Sequence, residues 1–355
     1  MTATGGGRVL LCGYYGEHNL GDDALLQVLL QQLGPNVRPL ITAHDQAAVQ
    51  AQAPGARCVD RRSLFQVLWA INRVDTVVFG GGSLLQDSTS FNSLVYYLAL
   101  LVIARCRGRQ VLLWGQGLGP LRRPLSRWLV HAFLPLCTAA SWRDQASLEL
   151  AQRWAPALPM SMAPDPVWQM PRQPWIGGES IVVSWRPTPL LNRARWISLV
   201  RALDQLASEL EAPVVWLAFH HHQDADLLPW LDRDGITPSS LRRRSRVVVP
   251  ESLEVVTTTV QTARLVLPMR LHALILARLA GCPMAALSYD PKVEAAAAMS
   301  GVPCTDLRAW FSTEGLLAQW RGSVDQPADE AELARLQVQA SEHGQVFSRM
   351  GSVAR

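Results

Sequence analysis

The sequence predicts an α/β chain of two domains, each a parallel sheet covered by helices, facing one another across a cleft. Three observations lead there. Short apolar runs that end in glycine and pass into helical periodicity recur along the whole chain. A stretch of six prolines between Pro156 and Pro174 interrupts that alternation once. The length, 355 residues, exceeds what a single hydrophobic core organises.

The first unit is "RVLLCGYY" (Arg8 to Tyr15), a strand, followed by the turn "GEHNLGDD" and the helical "ALLQVLLQQL". The pattern returns at "DTVVFGGGSLLQD", "QVLLWGQGLGP" and "TAASWRDQASLELAQRW". Beyond the prolines come "SIVVSW", a helix over 194–210, "PVVWLAF", "SRVVVP", "ARLVLP" and "CPMAALSY". The expected division is residues 1–170 for the first domain, 175–325 for the second, and 326–355 for a helical segment that packs back on the body. In such sheets ligands sit beyond the carboxyl ends of the strands.

Composition narrows the function classes. With 49% hydrophobic and 17% charged residues the chain has material for a folded interior, and a net charge of +4 carries no polyanion-binding signature, so nucleic acid is not an expected partner. The six cysteines are scattered with no CxxC pair, which speaks against a zinc site or a disulfide framework and suits a reducing compartment. "MTATGGGRVLLCGYYG" lacks the pattern of an export signal. "LVYYLALLVIA" (Leu94 to Ala104) is shorter than the roughly 20 residues a bilayer span needs and reads as a core helix, leaving peripheral contact as the form any membrane association takes.

Several loops carry polar groups at strand ends. Gly13, Gly16 and Gly21 surround the first strand-to-helix turn, where Asn19, Asp22 and Asp23 either line a site or simply cap the helix. The run Gly80, Gly81, Gly82 brings backbone N–H groups to an anion or sugar, or makes a tight turn; "WGQGLGP", with Gln116, repeats the arrangement. Arg143 stands where a strand becomes a helix, able to fork onto a carboxylate or phosphate or to pair with Asp144 at the surface. Arg270 and His272 interrupt the apolar "LVLPMRLHALILA" just after another strand, and "SYDPKVEAAA" repeats the placement with Asp290 and Lys292. A lone histidine is usually structural, but one beside an arginine at a strand end can be poised for proton transfer, and arginine, imidazole and lysine on neighbouring loops would make an anion pocket with an acid inside it.

Two stretches have blander readings. His220, His221 and His222 in "FHHHQDADL" alternate faces if they continue a strand, so a shared metal ion is disfavoured against a surface or partner-loop role. "RRPLSRWLVHAFLPL" reads as a helix packed on the core with snorkelling arginines, in preference to one touching anionic lipid.

Taken in order, "GYYGEHNLGDDALL", "FGGGSLLQD", "WGQGLGP", "SWRDQAS", "PDPVW", "MRLHALILA" and "SYDPKV" resemble the polysaccharide pyruvyl transferase family, close to the CsaB type. The resemblance spans Gly13 to Val293. It implies a GT-B-like fold of two Rossmann-like domains, and transfer of pyruvate from phosphoenolpyruvate to a sugar as a cyclic ketal with release of phosphate. It further implies a lipid-diphosphate-linked amino-sugar disaccharide as acceptor, a cytoplasmic protein at the inner membrane face, and Arg143, Arg270 and His272 at donor-contacting positions. The triple histidine has no counterpart in it.

Residue chemistry fits that carry-over. A donor with a phosphate and a carboxylate asks for several cations, and Arg143, Arg270 and Lys292 are available, with His272 as the general acid. Glu17, Asn19, Asp22, Gly81, Gly82 and Gln116 are the acceptor-side candidates, Glu17 or Asp22 orienting or deprotonating the sugar hydroxyl. No metal or organic cofactor is expected, phosphoenolpyruvate being a co-substrate. A GT-B glycosyltransferase using a nucleotide-sugar donor and a non-catalytic sugar-binding protein of the same fold are the competing readings.

Overall fold

The computed structural model describes residues 7–35 and 37–350. The start of the stretch read for an export signal, and the end of the 326–355 segment, lie outside the described residues.

The chain divides into two compact units. One runs through Glu17, then from Asp22 to Gln169, and resumes at Val338; the other comprises His18–Gly21 and Met170–Gln337. The carboxyl-terminal segment is therefore shared, the helix Glu330–Ala340 straddling the division and the 3₁₀ helix Ser341–Arg349 belonging to the first unit.

The first unit holds seven parallel strands: β1 (Val9–Tyr15), β2 (Leu40–Ala43), β3 (Arg57–Asp60), β4 (Thr76–Phe79), β5 (Gln110–Gln116), β6 (Ala139–Trp142) and β7 (Met160–Met162). Their order is β3-β2-β1-β4-β5-β6-β7, with Leu10 opposite Val77 and Val77 opposite Val111. Parallel neighbours need a crossover, and helices supply it on both faces. Central strands are thus buried on both sides, which is why "TVVF" and "QVLLWGQ" lack polar alternation.

In the second unit β8 (Ser180–Ser184), β9 (Val214–Leu217), β10 (Ser245–Val248) and β11 (Ala263–Pro268) form a parallel sheet ordered β10-β9-β8-β11. A parallel bridge from Val266 to Met284 leads on to the pair β12 (Ala286–Ser288) and β13 (Cys304–Asp306). Both units therefore start from a central strand, run outward through two more, and cross back to the other side, the Rossmann winding. Its consequence is that strand ends and helix starts gather along one edge of each sheet. Side-chain caps mark many of those starts: Ser90, Asp144, Asn192, Ser252 and Asp290 each accept a backbone N–H of the first helical turn.

Each unit has its own core. Val77, Phe79, Leu98, Leu101, Val111 and Leu113 centre the first. The second is built around Trp185, which meets Trp216 edge-on at 5.4 Å and lies 6.3 and 6.4 Å from Trp196 and Trp320. Such aromatic pairs add about 1 kcal/mol each to the burial of their area.

Two expectations are corrected. His221–Asp224 is a short helix with His220 at its start, so the histidines do not alternate across a strand: β9 ends at Leu217 and the chain turns where Asp224 accepts the His220 N–H. In the helix Pro124–Phe133, Ser126 and Val130 face the core while Leu125 and Trp128 are 53% and 61% exposed, so its apolar residues are split between the two faces instead of all packing inward.

Candidate active site

At the carboxyl edge of the second sheet Pro268 closes β11, and Arg270 occupies the cap position of the helix Leu271–Leu279, with His272 on its first turn. Arg270 is held by two prongs. Its Nε donates to Asp224 Oδ2 at 3.1 Å and its Nη2 to Asp224 Oδ1 and, at 3.1 Å, to Gln223 Oε1. The Asp224 side chain is 1% exposed and that of Arg270 12%, so the pair is desolvated and fixed in direction. Asp224 also accepts the His220 N–H at 2.8 Å. The triple-histidine stretch thus supplies the clamp on the arginine.

His220 itself is buried, with Nδ1 lacking a hydrogen-bond partner among the described residues. Burial, reinforced by the Arg270 guanidinium and opposed by Asp224, holds its imidazole below the usual pKa. His18, at φ 54°, lies edge-on to His222 at 6.1 Å, and Asn19 bridges His220 in antiparallel fashion. Asn19 Oδ1 accepts the Gly21 N–H at 3.2 Å, the cap reading. A Cβ on Gly21 would lie 2.0 Å from His272 Nδ1, so only glycine leaves room for the imidazole.

Lys292 stands on the first turn of the helix Pro291–Met299, capped by Asp290, and its Nζ is 3.5 Å from Asp290 Oδ2. That helix packs beside Leu271–Leu279, so two helix starts, each with its N–H groups and a cationic residue, share one edge. From the end of β8, Arg186 donates to Tyr289 Oη at 3.2 Å and lies over its ring. The edge therefore presents Arg186, Arg270, His272 and Lys292 on neighbouring strand ends, chemistry suited to a small anion that also needs a proton.

The remaining sequence candidates lie in the first unit. Arg143 is not paired with Asp144, whose carboxylate caps the following helix. It donates to Asp165 Oδ2 at 2.8 Å and to Ser83 Oγ at 2.9 Å, and its side chain is 5% exposed. So placed, it ties the triple-glycine loop to "PDPVW". Gln116 is likewise fully buried: it donates to Gly80 O, accepts the Leu84 N–H at 3.2 Å, and shapes the same loop.

The glycine run has a packing cause. A Cβ on Gly80 would strike Tyr15 Oη and one on Gly81 would strike Leu25, while Gly82 sits at φ +104° with Asp22 Oδ1 3.7 Å from its would-be Cβ. Glu17 is engaged by Arg61 at 2.7 Å and Arg62 at 3.4 Å. Asp23 is raised to about 6 by burial.

Asp165, Ser83 and Arg186 were not singled out from the sequence, and His220 and Asp224 were weighed there only for a metal ion or a surface or partner-loop role. For Asp224 and His220 the signal was visible, an acid four residues after a histidine at a strand end; for Ser83 and Asp165, far apart in the chain, there was none. Among the described residues no cluster of three or more His, Cys, Asp or Glu is placed to hold a metal ion, and no helix is long and apolar enough to cross a membrane.

Solved structures share this architecture at low identity. UDP-GlcNAc 2-epimerase from Methanocaldococcus jannaschii aligns with TM-score 0.61 and 10% identity over 96% of this chain and 99% of its own. UDP-N-acetylglucosamine 2-epimerase from Rickettsia bellii gives 0.59 and 11% over 96% and 95%, and HepE of Anabaena, in complex with UDP and glucose, 0.56 and 12% over 96% and 95%. These likenesses define the class: an α/β protein of GT-B-like fold. No curated protein sequence matches the chain. The sequence profile described as polysaccharide pyruvyl transferase matches residues 19–291, and the chain belongs to that family.

Proposed function

We propose that this chain moves pyruvate from phosphoenolpyruvate onto a sugar as a cyclic ketal, releasing phosphate, in the manner of the CsaB type. The observation that carries the reading is the clamped Arg270 with His272 two residues on and Lys292 at the adjoining helix start. A desolvated guanidinium aimed by Asp224 beside a half-buried imidazole suits a donor that carries two anionic groups and must be protonated at carbon.

Arg270, Lys292 and Arg186 bind the donor's phosphate and carboxylate. His272 delivers a proton to the methylene carbon, and the oxocarbenium-like centre is captured by one sugar hydroxyl, whose proton returns to His272. Attack by a second hydroxyl expels phosphate and closes the ketal, that hydroxyl's proton leaving with the phosphate, and arginine and helix N–H donors receive the anion. Arg143 and Gln116 hold the glycine loop of the first unit, where Asp22 and Gly82 are the acceptor-side candidates. The acceptor is a lipid-diphosphate-linked amino-sugar disaccharide, met at the cytoplasmic membrane face. No metal takes part.

The test is phosphate release from phosphoenolpyruvate with a panel of lipid-linked disaccharides, the ketal read by mass spectrometry, with EDTA present. Activity that persists in chelator, vanishes in His272→Ala and shows a raised KM for phosphoenolpyruvate in Arg270→Lys supports the reading. Thermal stabilisation by UDP or a UDP-sugar and none by phosphoenolpyruvate overturns it in favour of a nucleotide-sugar glycosyltransferase.

A further inference from the structure

One face of the first unit is uncovered and chemically one-sided. The helices Leu64–Arg73, Phe91–Cys106 and Pro124–Phe133 lie side by side on the same side of the sheet, their inner residues Val67, Ile71, Leu94, Leu101 and Val130 in one core. Arg107 Nη1 reaches Asn72 Oδ1 at 2.8 Å, and Arg123 lies over the Phe91 ring at 4.9 Å, joining the three into a layer.

Their outer surface carries large apolar side chains, among arginines, where an outer helix layer is normally polar throughout. Phe65 is 80% exposed, Trp128 61%, Leu64 and Leu125 53% each, Val95 41% and Trp69 38%. In the middle helix the outward positions Val95, Ala99 and Val102 are also apolar, so that helix has no polar face along most of its length. A groove of about 300 Å³ beside β3, lined by Leu40, Cys58, Phe65 and Trp69 among others, opens next to it.

Charge selects the occupant. From Arg61 to Cys137 the chain carries nine arginines and two aspartates, a net +7 within a chain of net +4. Of the two acids, Asp75 pairs with Arg8 and Asp87 is buried, accepting the Arg122 and Arg123 N–H groups. Arg62, Arg73, Arg105, Arg107, Arg122, Arg123 and Arg127 are exposed around the aromatic residues, and Arg73 stacks on Trp69 at 3.8 Å. Two copies of so positive a face repel. Amphipathic aromatics among arginines, with no acid on any of the three helices, match an interfacial membrane surface carrying anionic headgroups.

We infer that this three-helix layer docks the protein on an anionic bilayer, with Phe65, Trp69, Leu125 and Trp128 entering the headgroup region and the arginines facing lipid phosphates. The surface is identified from exposure and charge alone and stands whether or not the pyruvyl-transfer reading does.

The test is co-sedimentation of the full chain with vesicles of phosphatidylcholine, with and without phosphatidylglycerol, in the absence of phosphoenolpyruvate and sugar. Binding is expected to require phosphatidylglycerol and to weaken with salt. Trp128→Ala and Phe65→Ala should each weaken it about tenfold, and each of Arg123→Gln and Arg127→Gln about fivefold, with unchanged unfolding temperatures. Binding that is absent, indifferent to phosphatidylglycerol or unaffected by these variants overturns the inference. So does a dimer, seen by sedimentation equilibrium without lipid, that the same variants dissociate.

Discussion

Asp224 grips Arg270 through both carboxylate oxygens while its own side chain is almost wholly buried, making a residue of the triple-histidine stretch the partner that aims the arginine. Removing one member of a desolvated pair leaves the other uncompensated, at a cost of about 3 kcal/mol or more. Asp224→Asn, which keeps shape and surrenders charge, is therefore expected to lower kcat/KM for phosphoenolpyruvate about a hundredfold. The effect should exceed that of His222→Ala, a change beyond the clamp. Steady-state kinetics of the two variants check the order.

Gly21 lies in the helix Leu20–Leu33, where alanine is favoured by about 1 kcal/mol. Its Cβ would nevertheless sit 2.0 Å from His272 Nδ1. Gly21→Ala is expected to displace the imidazole, reducing turnover at least tenfold while leaving the unfolding temperature nearly unchanged. A fully active Gly21→Ala enzyme would remove His272, in this position, from the chemistry.

Arg143→Met leaves Asp165 buried without its guanidinium and Ser83 Oγ without its donor. A stability loss of about 3–5 kcal/mol is expected, measured by urea unfolding. A residue that only touched the donor would instead weaken phosphoenolpyruvate binding at constant stability, so the two measurements separate the roles.

His343 is buried under the first sheet, its Nε2 within 2.8 Å of Pro164 O, and burial lowers its pKa from 6.5 to about 4. Between those values the unfolded chain binds the proton and the folded chain does not. The stability present above pH 6.5 is thus lost as pH falls toward 4, by up to about 3 kcal/mol. Asp23, raised to about 6, acts in the opposite sense, favouring the folded state as pH falls through that range. The measurement is therefore a difference: the drop in unfolding temperature from pH 7 to pH 5 should be smaller in His343→Leu than in the parent, and larger in Asp23→Asn.

Strand-to-helix units were legible wherever burial on both faces forces a continuous apolar run, as in β4 and β5, and wherever a cap residue follows, as with Asp144 and Asp290. Arg270, His272 and Lys292 were legible for a related reason: charge is costly inside such runs, so its appearance at a strand end marks an edge. The histidine triplet was misread because a strand was extended past Leu217, although the acid four residues after His220, Asp224, is a local sign of the turn it caps.

What the sequence determined by itself was the winding of each unit and the residue types along its carboxyl edge, since both follow from short-range periodicity and the expense of burying charge. What only the tertiary structure decided was pairing. Asp224 with Arg270, Asp165 and Ser83 with Arg143, Gly21 with His272, and the exposure of Phe65 and Trp128 all join or release groups far apart in the chain. Such partners are chosen by packing, because a side chain's energy depends on which neighbours exclude water from it, and those neighbours are assembled only when the sheets are.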